Sequence, residues 1–141
     1  MSYPGASAAA GGERFAGEEP APEYVAFFDC FNSEHFFEAH EVLEKLWLPK
    51  RQEANGAFYK GLIQLAGAFV HVQKSRPGPA ASLLKLAQAN LVQFKGIHER
   101  LDVVSVLERI DLSLKHLESN ETSGCEIPKL HLLAADRVDR V

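Results

Sequence analysis

With 141 residues, 46% apolar and 24% charged, the chain has the composition of one globular domain and can bury a core without a disulfide or metal staple. Its formal net charge of −4 argues against nucleic-acid binding, which needs a dense positive face. Cys30 and Cys125 form no CxxC pair, which excludes a thiolate cluster and leaves two reduced thiols, the usage expected of a cytoplasmic protein. Residues 1–20 lack the basic start and apolar run of a secretory signal. The longest apolar helical stretch, Leu62 to Val72, is interrupted by Gln64 and His71 and is too short for a membrane span, so no membrane partner is expected.

Residues 1–22, rich in Ala, Gly, Pro and Glu, read as a mobile N-terminal arm. A first helix is predicted from Glu23 to Phe31, with Tyr24, Phe27, Phe28 and Phe31 at helical spacing. Asn32 and Ser33 interrupt it and offer N-cap oxygens to a second helix, Glu34 to Leu48, that stops at Pro49. A third runs from the turn at 50–55 to Lys74, and Arg76-Pro77-Gly78-Pro79 breaks the chain. A fourth spans Ala80 to Lys95, ended by Gly96. Asp102 caps a fifth that ends near Asn120, with Val103, Val106, Leu107, Ile110, Leu114 and Leu117 on one face. Strand signals are absent. The expected fold is therefore all-α, a compact antiparallel bundle of about five helices over residues 23–120. Residues 121–141 read as a C-terminal strap or tail, because Pro128 forbids a continuous helix while Leu130, Leu132 and Leu133 can pack on the body.

The second helix is the informative one. On a wheel of about 100° per residue with Phe36 at zero, Leu43 and Trp47 fall within about 20°, His40 near about 40°, and Glu44 near about 80°. His40 and Glu44 thus fall inside the apolar arc, with Glu41 at its border. A carboxylate is rarely buried unless paired. Four residues apart, His40 and Glu44 can satisfy each other, fix an imidazole tautomer, or converge on one cation. In the third helix, Lys60, Gln64 and His71 form a polar stripe with Gly67 beside it. This stripe is either a solvated face or one wall of a small polar pocket completed by His40 and Glu44. Gly61 and Gly67 permit close approach of a backbone or ligand. His35, His98, His116 and His131 read as surface histidines, and Cys30 as an inert buried thiol. No phosphate-binding Gly-rich loop and no GxSxG elbow occurs.

The ordered motifs His40-Glu41-Val42-Leu43-Glu44-Lys45-Leu46-Trp47 and Gly61-Leu62-Ile63-Gln64-Leu65-Ala66, with Phe31-Asn32 before them and His71 after, resemble the family called domain of unknown function 309. The resemblance covers about residues 23–95. It implies a compact helical bundle in which His40, Glu41, Glu44, Trp47, Gln64 and His71 occupy signature positions. It also implies the label "predicted metal-dependent hydrolase" that the family has carried. The chain departs from the family pattern after His71, where Ser75-Arg76-Pro77-Gly78-Pro79 replaces a short Gly-Asn turn.

Two functional readings follow. In the first, preferred because no complete catalytic motif is present, the chain is a binding or assembly module. A polar His/Glu pocket, with Trp47, Lys60 and Gln64 as binding residues, takes a small molecule or ion, and apolar helix faces support a homodimer. In the second, His40, Glu44 and His71 hold a divalent metal with open positions, and Glu41 is the base for a bound water. Whether the chain is an enzyme stays open between them.

Overall fold

A computed structural model describes residues 19–119 and 123–134; most of the N-terminal arm and the end of the tail lie outside these residues. Pro22 opens α1 (Pro22–Asn32), where its missing N–H is one the first turn leaves free anyway. Tyr24, Phe27, Phe28 and Phe31 all face the core. The helix closes in a Schellman turn: Glu34, at φ 64°, donates its N–H to the Phe31 carbonyl (2.9 Å), and His35 donates to the Cys30 carbonyl (2.8 Å). This places His35 at the N-cap of α2 (Phe36–Lys50), without a side-chain cap bond. The expected capping by Asn32 or Ser33 does not form, because the Asn32 amide is engaged elsewhere. Pro49 does not stop α2 but sits in its last turn, where one lost hydrogen bond is cheap and Arg51 Nη1 donates to the Leu48 carbonyl (2.6 Å).

Helix α3 (Gly56–Gln73) begins where a side chain on residue 56 would collide with the Arg51 carbonyl oxygen. It is buried around most of its circumference. A second Schellman turn ends it, with Ser75 at φ 57° donating to the Val72 carbonyl (3.0 Å) and Arg76 to the His71 carbonyl (2.9 Å). A left-handed non-glycine residue costs about 1–2 kcal/mol, and glycine's extra chain entropy returns roughly half of that. Ser75→Gly is therefore expected to raise the unfolding free energy by about 0.5–1 kcal/mol in urea titrations. A lower denaturation midpoint would show that the Ser75 side chain has a role of its own.

Helix α4 (Pro77–Leu91) starts three residues earlier than expected, since Pro77 and Pro79 both fit a first turn that needs no N–H donors. A 3-10 turn (Val92–Phe94) and Gly96 (φ 102°) lead to a hairpin that the sequence did not announce. In it β1 (Ile97–His98) pairs antiparallel with β2 (Leu101–Asp102). Two-residue strands are too short to alternate, and the turn is Glu99-Arg100, both at positive φ, rather than Asn-Gly. Asp102 then caps α5 (Val103–Leu117) as expected, accepting from the Ser105 N–H (3.3 Å).

The layout is helical apart from this hairpin. Helices α2 and α4 both pack on α3, and α1 and α5 lie outside them. Phe36 meets Phe69 (5.6 Å between ring centroids) while Trp47 meets Lys60, so α2 and α3 run antiparallel. Gly61 faces Leu91 and Gly67 faces Leu83, so α3 and α4 do too. Residues 123–134 cross the body without regular structure, and Leu130 is buried. No helix among the described residues is long and apolar enough to cross a membrane.

Candidate functional site

In α2 the buried positions are Phe36, Ala39, Leu43 and Leu46. Their centre is rotated by roughly 50° from the Phe36–Trp47 line assumed for the wheel. His40, Glu44 and Trp47 are consequently half-buried at the rim of the arc rather than inside it, and Glu41 is exposed. The rotation comes from Ala39, whose small side chain lets α2 settle against its neighbours on that side. Phe37 pays the difference by standing 57% exposed, its ring stacked on His40 at 6.1 Å and 15°.

The Lys60–Gln64–Gly67–His71 stripe of α3 is half-buried along its length, not a solvated face. Its contacts go to both neighbouring helices. Lys60 Nζ lies 4.4 Å from the centre of the Trp47 ring on α2, a cation–π contact. Gln64 Oε1 accepts from Asn90 Nδ2 on α4 at 2.8 Å. The stripe therefore lines the seam between α2 and α4. Two atoms on α2 and α3 stand out: His40 Nδ1 and His71 Nδ1 are shielded from solvent and have no hydrogen-bond partner. Glu44 does not satisfy His40 Nδ1. Among the described residues no group of three or more His, Cys, Asp or Glu side chains converges as a metal site would require.

A second polar cluster was missed by sequence reasoning. Asn55, just before α3, donates from Nδ2 to Glu99 Oε2 (2.6 Å), which turns its Oδ1 toward His98 Nε2 (2.7 Å). An amide oxygen only accepts, so Nε2 carries the proton. Tyr24 Oη donates to the Glu99 carbonyl (2.7 Å), tying α1 to the hairpin turn. The His98 ring rests against Phe58 and Phe94, with centroids 4.6 and 4.7 Å away. His98 is thus not a surface histidine. His116 is half-buried as well, its Nε2 bonded to the Ser123 carbonyl (2.9 Å), whereas His35 and His131 are exposed. Nothing in local sequence links Asn55 to His98, which stand 43 residues apart.

Burial lowers the His98 pKa below its ordinary 6.5 and raises that of Tyr24, with Glu99 adding to the latter. The folded chain binds the His98 proton less readily than the unfolded one. Its contribution to stability is full above pH 6.5 and is lost as the pH falls from there through the folded-state value. Urea unfolding of the wild type and His98→Gln between about pH 5 and 8 is expected to show a stability gap that narrows on acidification. A constant gap would contradict it. Both thiols are also pushed up, chiefly by burial, so neither Cys30 nor Cys125 is an activated nucleophile; Cys30 is half-buried.

These features define a helical protein with a polar seam along its central helix. Residues 24–83, from α1 to the first half of α4, match the family model described as Domain of unknown function (DUF309). All six signature residues named from the sequence lie within it. A search of curated proteins found no match, and a search of solved structures found none.

Proposed function

We propose that the chain is a binding module that takes a small polar ligand along the α3 stripe at the seam between α2 and α4, with His40 and His71 as its primary contacts. The observation that carries this reading is the pair of shielded, unpartnered Nδ1 atoms on adjacent helices. Leaving such an atom unsatisfied costs about 1–3 kcal/mol, so a ligand supplying a hydrogen bond to each recovers a cost already present in the free protein. Trp47, Lys60 and Gln64 supply an aromatic wall, a cation and an amide along the same seam. The exposed Phe37 ring adds an apolar lip beside His40. Two free thiols support a reducing compartment such as the cytoplasm as its location.

A metal-dependent hydrolase is the second reading, favoured by the same atoms, because an unpartnered imidazole nitrogen is also a metal donor. A catalytic zinc needs three protein ligands, and the described side chains do not present three together. Glu41, its candidate base, is exposed. The residues therefore do not fit that group in this conformation.

Long-range 1H–15N spectra of the 15N-histidine-labelled chain test both. Small carboxylates, small amides and Zn2+ are titrated separately. The binding reading expects His40 and His71 Nδ1 to shift together and saturably with an organic probe while His98 stays fixed, and His40→Ala to remove the response. Response to Zn2+ alone, with an esterase activity lost in His40→Ala, would transfer the assignment to the hydrolase. Silence of both nitrogens toward every probe would end the proposal.

A further inference from the structure

The C-terminal strap and α5 enclose a cavity of about 200 Å³. None of its lining residues belongs to α2, α3 or α4, so it is separate from the seam. Its floor is a stripe of α5, Arg109, Leu112, Ser113 and His116, spaced i, i+3, i+4 and i+7 along one helical face. Its far wall is Gly124, Glu126 and Pro128. These alternate with Cys125 and Ile127, which pack on the core, as residues on the two faces of an extended chain do. The wall is fixed at both ends. His116 Nε2 donates to the Ser123 carbonyl (2.9 Å). Asn32 grips both main-chain groups of Leu130, its Nδ2 donating to the carbonyl (2.7 Å) and its Oδ1 accepting from the N–H (2.8 Å). Two small residues leave the space open. The buried positions of α5 run Val103, Val106, Ile110, Ser113 and Leu117, so a serine stands where the pattern calls for a large apolar side chain. Gly124, at φ 80°, adds no side chain beside the His116 ring, which a Cβ there would approach to 3.6 Å.

The lining carries one group of each charge. Arg109 and Glu126 line the cavity from opposite walls, and among the described residues neither forms an ion pair or a side-chain hydrogen bond, with the other or with a third group. A simple anion would be repelled by the Glu126 carboxylate, and a simple cation by the Arg109 guanidinium. A ligand that carries both charges suits both walls. Its carboxylate can take the guanidinium fork as a bidentate pair. A carbonyl only accepts, so the bond to Ser123 puts the proton of the neutral His116 ring on Nε2 and makes Nδ1 an acceptor. With Ser113 Oγ and the Glu126 carboxylate, the lining then offers three acceptors to the three N–H donors of an ammonium. Leu112 and the buried Pro128 add apolar wall. The cavity, at about 200 Å³, is smaller than the roughly 300–1,000 Å³ of pockets for drug-sized ligands, a size suited to an amino acid. We propose that the cavity between α5 and the strap binds a free α-amino acid with a small apolar side chain, its carboxylate on Arg109 and its ammonium on Glu126. This site does not rest on the ligand proposed for the seam.

The test titrates L-valine into the 15N-labelled full-length chain. Isovalerate, which lacks the ammonium, and isobutylamine, which lacks the carboxylate, serve as controls. The backbone amides of Ser113, Gly124 and Glu126 are expected to shift together and saturably with valine, at a Kd of about 1 mM or tighter, and each control to bind about ten-fold more weakly or worse. Arg109→Gln and Glu126→Gln each remove one charge at an exposed position, where substitution leaves the fold intact. Each is expected to weaken valine binding about ten-fold or more, as the loss of a hydrogen bond to a charged group implies. Ser113→Leu is expected to fill the cavity and abolish the shifts; should it fail to fold, the two charge variants still decide. The shifts are read on α5 and the strap, so the result is independent of the seam. Absence of any saturable shift up to about 20 mM valine overturns the proposal. So does valine binding no tighter than either control, or binding indifferent to both charge variants.

Discussion

Phe69→Ala is expected to lower the unfolding free energy by about 3–5 kcal/mol, a large fraction of a total that for domains is about 5–15 kcal/mol. Phe69 on α3 is fully buried, and its ring centroid lies 5.9 Å from that of Phe31 on α1 and 5.6 Å from that of Phe36 on α2. Phe31 and Phe36 meet each other at 4.9 Å, edge to face. Three helices therefore converge on one aromatic triangle, and truncating its α3 corner removes two ring contacts and leaves a cavity that helices locked on every side cannot close. Phe69→Leu conserves most of the volume and is expected to lose about 1.5 kcal/mol or less. Phe37→Ala, next to Phe36 in sequence but exposed, is expected to change stability by about 0.5 kcal/mol at most. Urea titrations of the three variants check the order. A Phe69→Ala loss below about 1 kcal/mol would mean that the core relaxes into the space.

The core faces of α1 and α5 were legible in the sequence because they are periodic. Phe27, Phe28 and Phe31 repeat at helical spacing, and so do Val103, Val106 and Ile110, and all of these are buried. The elements that went unread are set by geometry that a period does not carry. Glu34 and Ser75 take left-handed positions usually given to glycine, so the Schellman turns that aim α2 and α4 leave no compositional mark. The hairpin is two residues per strand, and its turn pairs glutamate with arginine. The seam was half legible. The wheel of α2 identified His40 and Glu44 as the unusual residues, but the angle at which α2 rests on α3 depends on Ala39 and Leu46 filling the contact, and that rotation set them at the rim. The Asn55–His98–Glu99 cluster and the Asn32–Leu130 grip are products of the tertiary fold. Each joins groups more than 40 residues apart, and nothing in the local sequence links them.

Gly61 and Gly67, six residues apart on the same helix, are expected to answer alanine with opposite signs. A Cβ on residue 61 would stand 2.8 Å from Leu91 Cγ, 2.9 Å from Leu91 Cδ2 and 3.2 Å from Asn90 Cβ. Leu91 is fully buried and cannot swing away, and Asn90 is bonded to Gln64. Overpacking of this kind costs about 1–3 kcal/mol, more than the roughly 1 kcal/mol that alanine gains over glycine inside a helix. Gly61→Val adds two more methyl groups to the same spot and is expected to lose about 3 kcal/mol or more. At residue 67 a Cβ would meet Leu83 Cδ1 at 3.3 Å, the mobile end of a half-buried side chain, so helix propensity prevails and Gly67→Ala is expected to gain about 0.5 kcal/mol. The consequence reaches the seam. Displacing α4 at Leu91 pulls Asn90 away from Gln64, so Gly61→Ala is expected to shift the Gln64 side-chain amide resonances, whereas Gly67→Ala leaves them in place. Leu91→Ala added to Gly61→Ala is expected to restore part of the lost stability, although each change alone destabilises, because the second removes what the first collides with. Strictly additive losses in that pair would show that the approach of α4 to α3 is not what excludes a side chain from position 61.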